Sequence, residues 1–311
     1  MDVLYALESI RNPFLDQLLG ILTYLGDELL VTGVILIVMW CFNKRIGQFL
    51  FTIMMFSIVG NQFLKQLCRI PRPWLLDPDF TIVENAREAA TGYSFPSGHT
   101  ASAIGLYGGL AVWTKKRWVQ AVLIATVLLV GFTRMYLGVH TPLDVGVSLL
   151  IGAVLVVALY LWEKAGDRGT RAYLLLDGFL VLCAIGVVLY AELVFAPTEA
   201  DPALQANGLK NAWMLLGMCV GLLCIRYADR RWVRFETKGV WWVQILKTAV
   251  GLGVVIGVRT IVKEPLYACF GGHYAAEAIR NFLMVLVGGC LWPITFRYWN
   301  RLPKVQNKGE K

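Results

Sequence analysis

The chain has 311 residues, of which 57% are hydrophobic and 16% are charged, and its mean hydropathy is +0.60. Soluble domains usually contain about 25% charged residues, so this composition excludes an ordinary soluble protein and indicates an integral membrane protein. The net charge of +8 is accounted for by membrane topology and by attraction to anionic membrane lipids, and no nucleic-acid partner is expected.

Apolar segments of about 20 residues, long enough to cross a bilayer, recur along the chain. Residues 1–23 are apolar but contain four charged residues and Pro13, which favours an amphipathic helix at the membrane interface over a tenth, imperfect span. The predicted fold class is therefore all-α, a polytopic helical bundle of about nine transmembrane helices plus an N-terminal interfacial helix. The nine predicted spans are residues 27–42, 46–66, 98–114, 118–136, 141–162, 172–194, 209–227, 240–262 and 280–297.

Basic residues cluster in alternate connections between these spans. With nine spans, all five clusters fall on one side, which the positive-inside rule assigns to the cytoplasm. The N-terminus is then outside, and the C-terminus, with its basic tail, is cytoplasmic. The clusters are Lys44–Arg45, Lys115–Arg117, Lys164 with Arg168 and Arg171, residues 226–238, and Arg297, Arg301, Lys304, Lys308 and Lys311.

The seven cysteines show neither a CxxC pair nor metal-type spacing, so no metal site is predicted. Most of them fall in or beside spans, where a buried thiol is the expected state. A disulfide between Cys68 and Cys269 is left open, because both lie in outer connections.

Three segments at the predicted outer face contain polar residues that a membrane span does not require. They are KQLCRIPRP with Lys65 and Arg72, YSFPSGHTAS with Ser97, Gly98 and His99, and FTRMYLGVHTPLDVG with Arg134, His140 and Asp144. Ionisable groups near a membrane are costly unless they are paired or used. The topology places all three segments at the same face, so they are expected to form one site.

These residue types suit the chemistry of a phosphate ester. Lys65, Arg72 and Arg134 would bind phosphate oxygens, and backbone N–H groups at Ser97 and Gly98, where a helix begins, would assist. His140 and Asp144 are four residues apart and share one helical face. The carboxylate can hold one ring nitrogen and leave the other free to attack, while a second histidine, His99, moves a proton.

The three motifs Lys-x6-Arg-Pro, Pro-Ser-Gly-His and Arg-x5-His-x3-Asp resemble the signature of the type-2 phosphatidic acid phosphatase superfamily. The resemblance covers residues 1–162 and implies that His140 is a nucleophile forming a phosphohistidine, oriented by Asp144, with His99 as general acid. It also implies phosphate binding by Lys65, Arg72, Ser97, Gly98 and Arg134 without a metal or another cofactor. Thr133 stands where the family usually has serine, and the hydroxyl is retained.

The chain is predicted to divide into a catalytic core, residues 1–165, and an additional four-helix region, residues 166–311. The extra helices could shape a lipid pocket, form a homodimer contact or carry another activity. His273, Glu192 and Lys247 receive no assigned role.

The predicted function is hydrolysis of a lipid phosphate monoester or diphosphate, of the undecaprenyl diphosphate or phosphatidate type, at the outer membrane face. The alternatives are a lipid phosphotransferase with the same site, a sphingosine-phosphate or glucose-6-phosphate type of phosphatase, and a transporter or flippase of anionic lipid.

Overall fold

The computed structural model describes residues 1–87, 90–166, 168–299 and 301, and every regular element in these ranges is helical. The all-α prediction is thereby confirmed for them. The first helices are α1 Asp2–Ser9, α2 Pro13–Leu22, α3 Glu28–Ile37, α4 Lys44–Cys68, α5 Pro73–Leu76, α6 Gly98–Ala103, α7 Gly109–Trp113, α8 Arg117–Tyr136 and α9 Pro142–Lys164. The others are α10 Gly169–Tyr190, α11 Ala196–Thr198, α12 Pro202–Ala228, α13 Trp241–Ile261, α14 Lys263–Cys269, α15 Ala275–Leu286, α16 Trp292–Ile294 and α17 Phe296–Trp299.

Short 3₁₀ and π segments extend or join these helices. The 3₁₀ segments are Thr23–Gly26 and Glu84–Ala86, and the π segments are Val38–Phe42, Ile104–Gly108, Ala191–Phe195, Asp229–Val233 and Val287–Leu291. In the described part of the chain, seven helical runs are long and apolar enough to cross a membrane. An eighth span results if Pro13–Gly26 and Glu28–Phe42, bent by 51°, count as one.

The structure thus does not show nine spans. The difference lies in the segments predicted at 27–42 and 98–114, because neither gives a single helix of the roughly 20 residues that a bilayer requires. The first becomes half of the bent pair. The second is a short run from α6 to α7 that begins at the Ser97 cap and ends before Thr114.

The N-terminal segment is attached to the rest of the protein by its charged side chains. Arg11 Nε donates to the Tyr136 carbonyl at 3.0 Å, and Arg11 Nη1 donates to the Thr81 carbonyl at 2.8 Å. Tyr136 Oη donates to Asp16 at 2.8 Å. The side chains of Arg11 and Asp16 therefore connect the N-terminal segment to the end of α8. The interfacial location of this segment stays a prediction.

Several basic residues of the predicted cytoplasmic clusters have acidic partners. Lys44 lies 3.0 Å from Asp229, and Arg45 lies 2.8 Å from Glu163, so these connections meet at one end of the bundle. Arg226 is buried, and its Nε donates to Asp177 at 2.5 Å. Topology alone therefore does not explain Arg226. Lys304, Lys308 and Lys311 of the predicted basic tail lie outside the described residues.

The second half of the chain packs directly against the first. Helix α12 contacts α4 as well as α10 and α15, and one large cluster of buried apolar side chains includes residues of α4, α10 and α12. All seven cysteines lie in the described ranges and are free.

The contact between α12 and α15 requires glycine at position 217. A Cβ built there would lie 1.9 Å from the Ala278 carbonyl oxygen. We expect Gly217→Ala to lower the free energy of unfolding by about 1–3 kcal/mol, because the two helices would have to separate. Thermal unfolding in detergent would measure this. Gly186→Ala in α10, where nothing lies within 4 Å, is the matched control; equal midpoints for both variants would contradict the expectation.

Candidate active site

A cavity of about 350 Å³ brings the three sequence motifs together. Six of the eight predicted site residues line it: Lys65, Arg72, Gly98, His99, Arg134 and His140. The other two, Ser97 and Asp144, are buried directly behind this surface. The three segments therefore meet at one cavity, as the sequence predicts.

Arg72 is buried, and carbonyl groups of the surrounding loops hold its guanidinium in place. It follows α4 as the N-cap of α5. Its Nε and Nη2 donate to the carbonyls of Gly92 and Thr91, each at 3.0 Å, and its Nη1 donates to the Val139 carbonyl at 2.8 Å. A guanidinium fixed in this way presents its charge to the cavity in one orientation.

Lys65 lies one helical turn before the end of α4. Its Nζ donates to the carbonyl oxygens of Tyr93 and Ser94 at 2.6 and 3.3 Å. The loop that leads to the SGH motif is thus held by both Lys65 and Arg72.

The hydrogen bonds of His140 define its tautomer. Arg72 Nη1 lies 3.0 Å from His140 Nε2, and because a guanidinium can only donate, Nε2 must accept. The proton of the neutral ring is then on Nδ1, which faces Asp144 Oδ2 and Ser94 Oγ, each at 3.4 Å. Burial and the neighbouring cations Arg72 and Lys65 hold the pKa of His140 well below its ordinary value, so its ring is neutral.

Asp144 is fixed from three sides. Its Oδ2 accepts hydrogen bonds from Ser94 Oγ at 2.5 Å and from the Thr141 backbone N–H at 2.7 Å, and it also faces His140. The Thr141 hydroxyl in turn accepts from the Asp144 N–H at 3.2 Å, which forms a capping box at the start of α9. The local sequence HTPLD therefore begins a helix and positions the carboxylate at the same time.

The SGH motif opens α6. Ser97 is the N-cap, and its Oγ accepts from the hydroxyl of Thr100 at 2.9 Å. The Ser97 side chain thus supports the helix and does not line the cavity. Gly98 has open space where a Cβ would be, and His99 lines the cavity without a hydrogen-bond partner in the described ranges.

Arg134 lies near the end of α8 and is only 1% exposed. Its Nη1 donates to Thr23 Oγ1 at 3.0 Å, while its Nε has no hydrogen-bond partner among the described residues. A buried guanidinium with an unused donor beside a cavity is suited to bind an anion.

Sequence reasoning missed several residues that contribute to this site. Ser94 was overlooked although it lies in the quoted motif, three residues before Ser97. Thr23 and Gly26 come from the N-terminal segment, where a Cβ on Gly26 would lie 2.7 Å from the His99 carbonyl oxygen. No local pattern marks these two as site residues, since only the tertiary fold brings them there.

The three polar residues without an assigned role lie elsewhere. Lys247 is buried, donates to the Trp40 carbonyl at 3.1 Å and lies over the Phe296 ring. His273 Nε2 lies 3.9 Å from Glu192, which accepts from the indole of Trp213 at 2.6 Å. His273 does not line the cavity.

Two family models match the chain in succession. Residues 46–168 match the PAP2 superfamily, and residues 210–302 match the transmembrane extension of PAP2 superfamily phosphatases. The chain belongs to the PAP2 superfamily. This assignment confirms the family predicted from the three motifs.

Curated PAP2 relatives have different substrates in their names. A probable sphingosine-1-phosphate phosphatase of Dictyostelium discoideum is 28% identical over 67% of this chain, which spans about half (54%) of that relative. Undecaprenyl-diphosphatase BcrC of Bacillus subtilis is 27% identical over 47% of this chain and 74% of its own length. Sphingosine-1-phosphate phosphatase 1 of Rattus norvegicus is 26% identical over 83% of this chain and 62% of its own length. No solved structure gives a significant match.

Proposed function

We propose that the protein is a phosphatase that hydrolyses a lipid phosphate monoester or diphosphate through a phosphohistidine, without a metal. The hydrogen bond between Arg72 and His140 Nε2 carries this proposal, because it identifies the nitrogen whose lone pair is directed toward the cations. Burial of Asp144 behind the ring keeps the proton on Nδ1.

The reaction has two steps. When phosphate oxygens take over the hydrogen bond of Arg72, the lone pair of His140 Nε2 is released and attacks phosphorus. The bond from phosphorus to the ester oxygen, or to the bridging oxygen of a diphosphate, breaks, and His99 gives that oxygen a proton. Water then attacks the phosphohistidine, His99 takes a proton from this water, and the bond from phosphorus to Nε2 breaks to release inorganic phosphate. Lys65, Arg72 and Arg134 offset the charge on the phosphoryl oxygens in both steps.

The proposed site lies at the outer, non-cytoplasmic face, and the C-terminus lies in the cytoplasm. The ion pairs of Lys44 and Arg45 support this orientation, because they show that several basic connections lie at the same end of the bundle. Lys65 and Arg72 lie at the opposite end of α4, which the positive-inside rule then assigns to the outer face. Nine spans and a homodimer stay predictions.

Two types of lipid are candidate substrates. The sequence favoured undecaprenyl diphosphate or phosphatidate, and the match to BcrC supports that choice over the core. The matches to sphingosine-1-phosphate phosphatases extend over 67% and 83% of the chain, well into the second half. That longer similarity supports a sphingoid type of lipid phosphate as the second candidate.

We expect purified protein in detergent to release inorganic phosphate from at least one lipid, at the same rate with and without EDTA. The panel would contain phosphatidate, undecaprenyl diphosphate, sphingosine 1-phosphate and glucose 6-phosphate. EDTA should have no effect because arginine, lysine and histidine side chains supply the charge that a metal ion would supply elsewhere. No release from any lipid would contradict the hydrolase, and release that EDTA abolishes would contradict the metal-free mechanism.

A further inference from the structure

The cavity has a second wall that the proposed reaction does not use. It consists of one arginine and five amide side chains, contributed by α4 and by the extension helices α12, α13 and α15. They are Asn61, Gln62, Asn207, Asn211, Arg259 and Asn281. Polar side chains in membrane-spanning helices are costly, so six around one cavity indicate a use.

Most of the hydrogen-bonding groups in this wall are unused. Asn61 and Gln62 are only 8% and 7% exposed, and neither side chain has a hydrogen-bond partner in the described part of the chain. Arg259 likewise has no ion pair among the described residues. Asn211 donates to Asn207 Oδ1 at 3.1 Å, and Asn281 donates to the Glu277 carbonyl at 2.9 Å. Buried polar groups are normally paired, so the unpaired side chains of Asn61 and Gln62 are suited to a ligand.

The wall lies close to the phosphate-binding cations. Asn207 Oδ1 is 2.7 Å from the place where a Cβ on Gly92 would be, and the Gly92 carbonyl accepts a hydrogen bond from Arg72. A group that contacts Asn207 can therefore belong to the same molecule as a phosphate beside Arg72.

The cavity then continues into a narrow apolar pocket of about 40 Å³, lined by side chains such as Ile35, Phe51 and Val255. Four residues line both spaces: Thr32, Met218, Asn281 and Met284. Along α4, from its carboxyl end backward, the lining residues are Lys65, then the amides Gln62 and Asn61, then the apolar Ile58 and Met54. A lipid has the matching order if its phosphate is followed by hydroxyl groups and then by hydrocarbon.

We propose that the extension helices supply a subsite for uncharged hydroxyl groups on the carbon atoms next to the phosphate ester. This inference rests on the proposed phosphatase function and specifies its substrate as the phosphate ester of a hydroxylated lipid. An amide both donates and accepts hydrogen bonds, as a hydroxyl group requires. Asp27 and Glu28 line the same cavity, and the Glu28 carboxylate interacts with the charge of Arg259, which disfavours a second anionic group.

Two lipids that differ only in these hydroxyl groups test the proposal. They are octadecyl phosphate and 2,3-dihydroxyoctadecyl phosphate, presented to the full chain in the same detergent micelles. We expect wild-type kcat/KM to be at least about ten-fold higher for the dihydroxy lipid, because a site built for hydroxyl groups rejects an analogue that lacks them.

The ratio of the two kcat/KM values should fall below about three in Asn211→Leu and in Arg259→Leu, since leucine neither donates nor accepts a hydrogen bond. Asn85→Leu changes an exposed asparagine outside the cavity and should keep the wild-type ratio. Because the readout is a ratio within one variant, a general loss of folded protein does not change it.

A wild-type ratio near one would overturn the subsite, as would a ratio that both wall variants leave intact. Hydrolysis of neither lipid by protein that releases phosphate from a lipid of the first panel would also overturn the subsite. Absence of release from both sets of lipids, or hydrolysis that persists in His140→Ala, would overturn the proposed function itself. The two failures are therefore distinguishable.

Discussion

His140→Ala is expected to abolish phosphate release, with kcat lowered by about 10⁴-fold or more, as removal of a covalent nucleophile usually does. No other described side chain occupies the place of Nε2 beside Arg72, so no substitute nucleophile is available. Steady-state release of inorganic phosphate from the preferred lipid would measure the loss.

His273→Ala is the matched control for this variant. His273 is a histidine of the same chain that does not line the cavity, and we expect its replacement to change kcat less than about two-fold. If His140→Ala retained more than a tenth of the activity, the phosphohistidine mechanism would be wrong.

Asp144→Asn is expected to lower kcat by about 10³- to 10⁴-fold while KM changes little, because the negative charge that orients the His140 ring and stabilises its cationic phosphorylated form is lost. The carboxylate oxygen accepts from Ser94 Oγ, from the Thr141 N–H and from the His140 ring. All three groups contact Oδ2, so an amide oxygen in that place keeps the three bonds but carries no negative charge. An amide nitrogen in that place would donate to Nδ1, favour the other tautomer and leave the Thr141 N–H without an acceptor.

The control for Asp144→Asn is Asp16→Asn. Asp16 also accepts a hydrogen bond in the folded protein, from Tyr136 at 2.8 Å, but it does not line the cavity. The kcat of each variant should be measured in detergent, and the thermal unfolding midpoint of each should be measured beside it. If Asp144→Asn lowered kcat no more than Asp16→Asn does, Asp144 would act on folding and not on the nucleophile.

The sequence was sufficient for the central part of the site because each motif lies on a local structure that its own residues specify. Ser97 caps α6, and Thr141 and Asp144 form the capping box of α9. A helix start therefore fixes Gly98, His99 and His140 relative to their neighbours, and the apolar periodicity places these starts at one face.

The sequence was not sufficient where contacts join distant segments. Thr23 touches Arg134 across 111 positions, and Arg259 reaches the cavity from a helix without a catalytic motif. The structure does not show all nine predicted spans, for a related reason. Hydropathy predicts that a segment is apolar, but it does not report that α3 bends away from α2 or that the run from α6 to α7 is short.

The contacts of the N-terminal segment have a practical consequence for handling the protein. Thr23 supports Arg134, Gly26 packs beneath His99, and Arg11 holds the loop before the SGH motif. A shortened version of the protein that lacks residues 1–26 would lose these contacts beside Arg134 and His99, so any truncation made for purification should leave this segment intact.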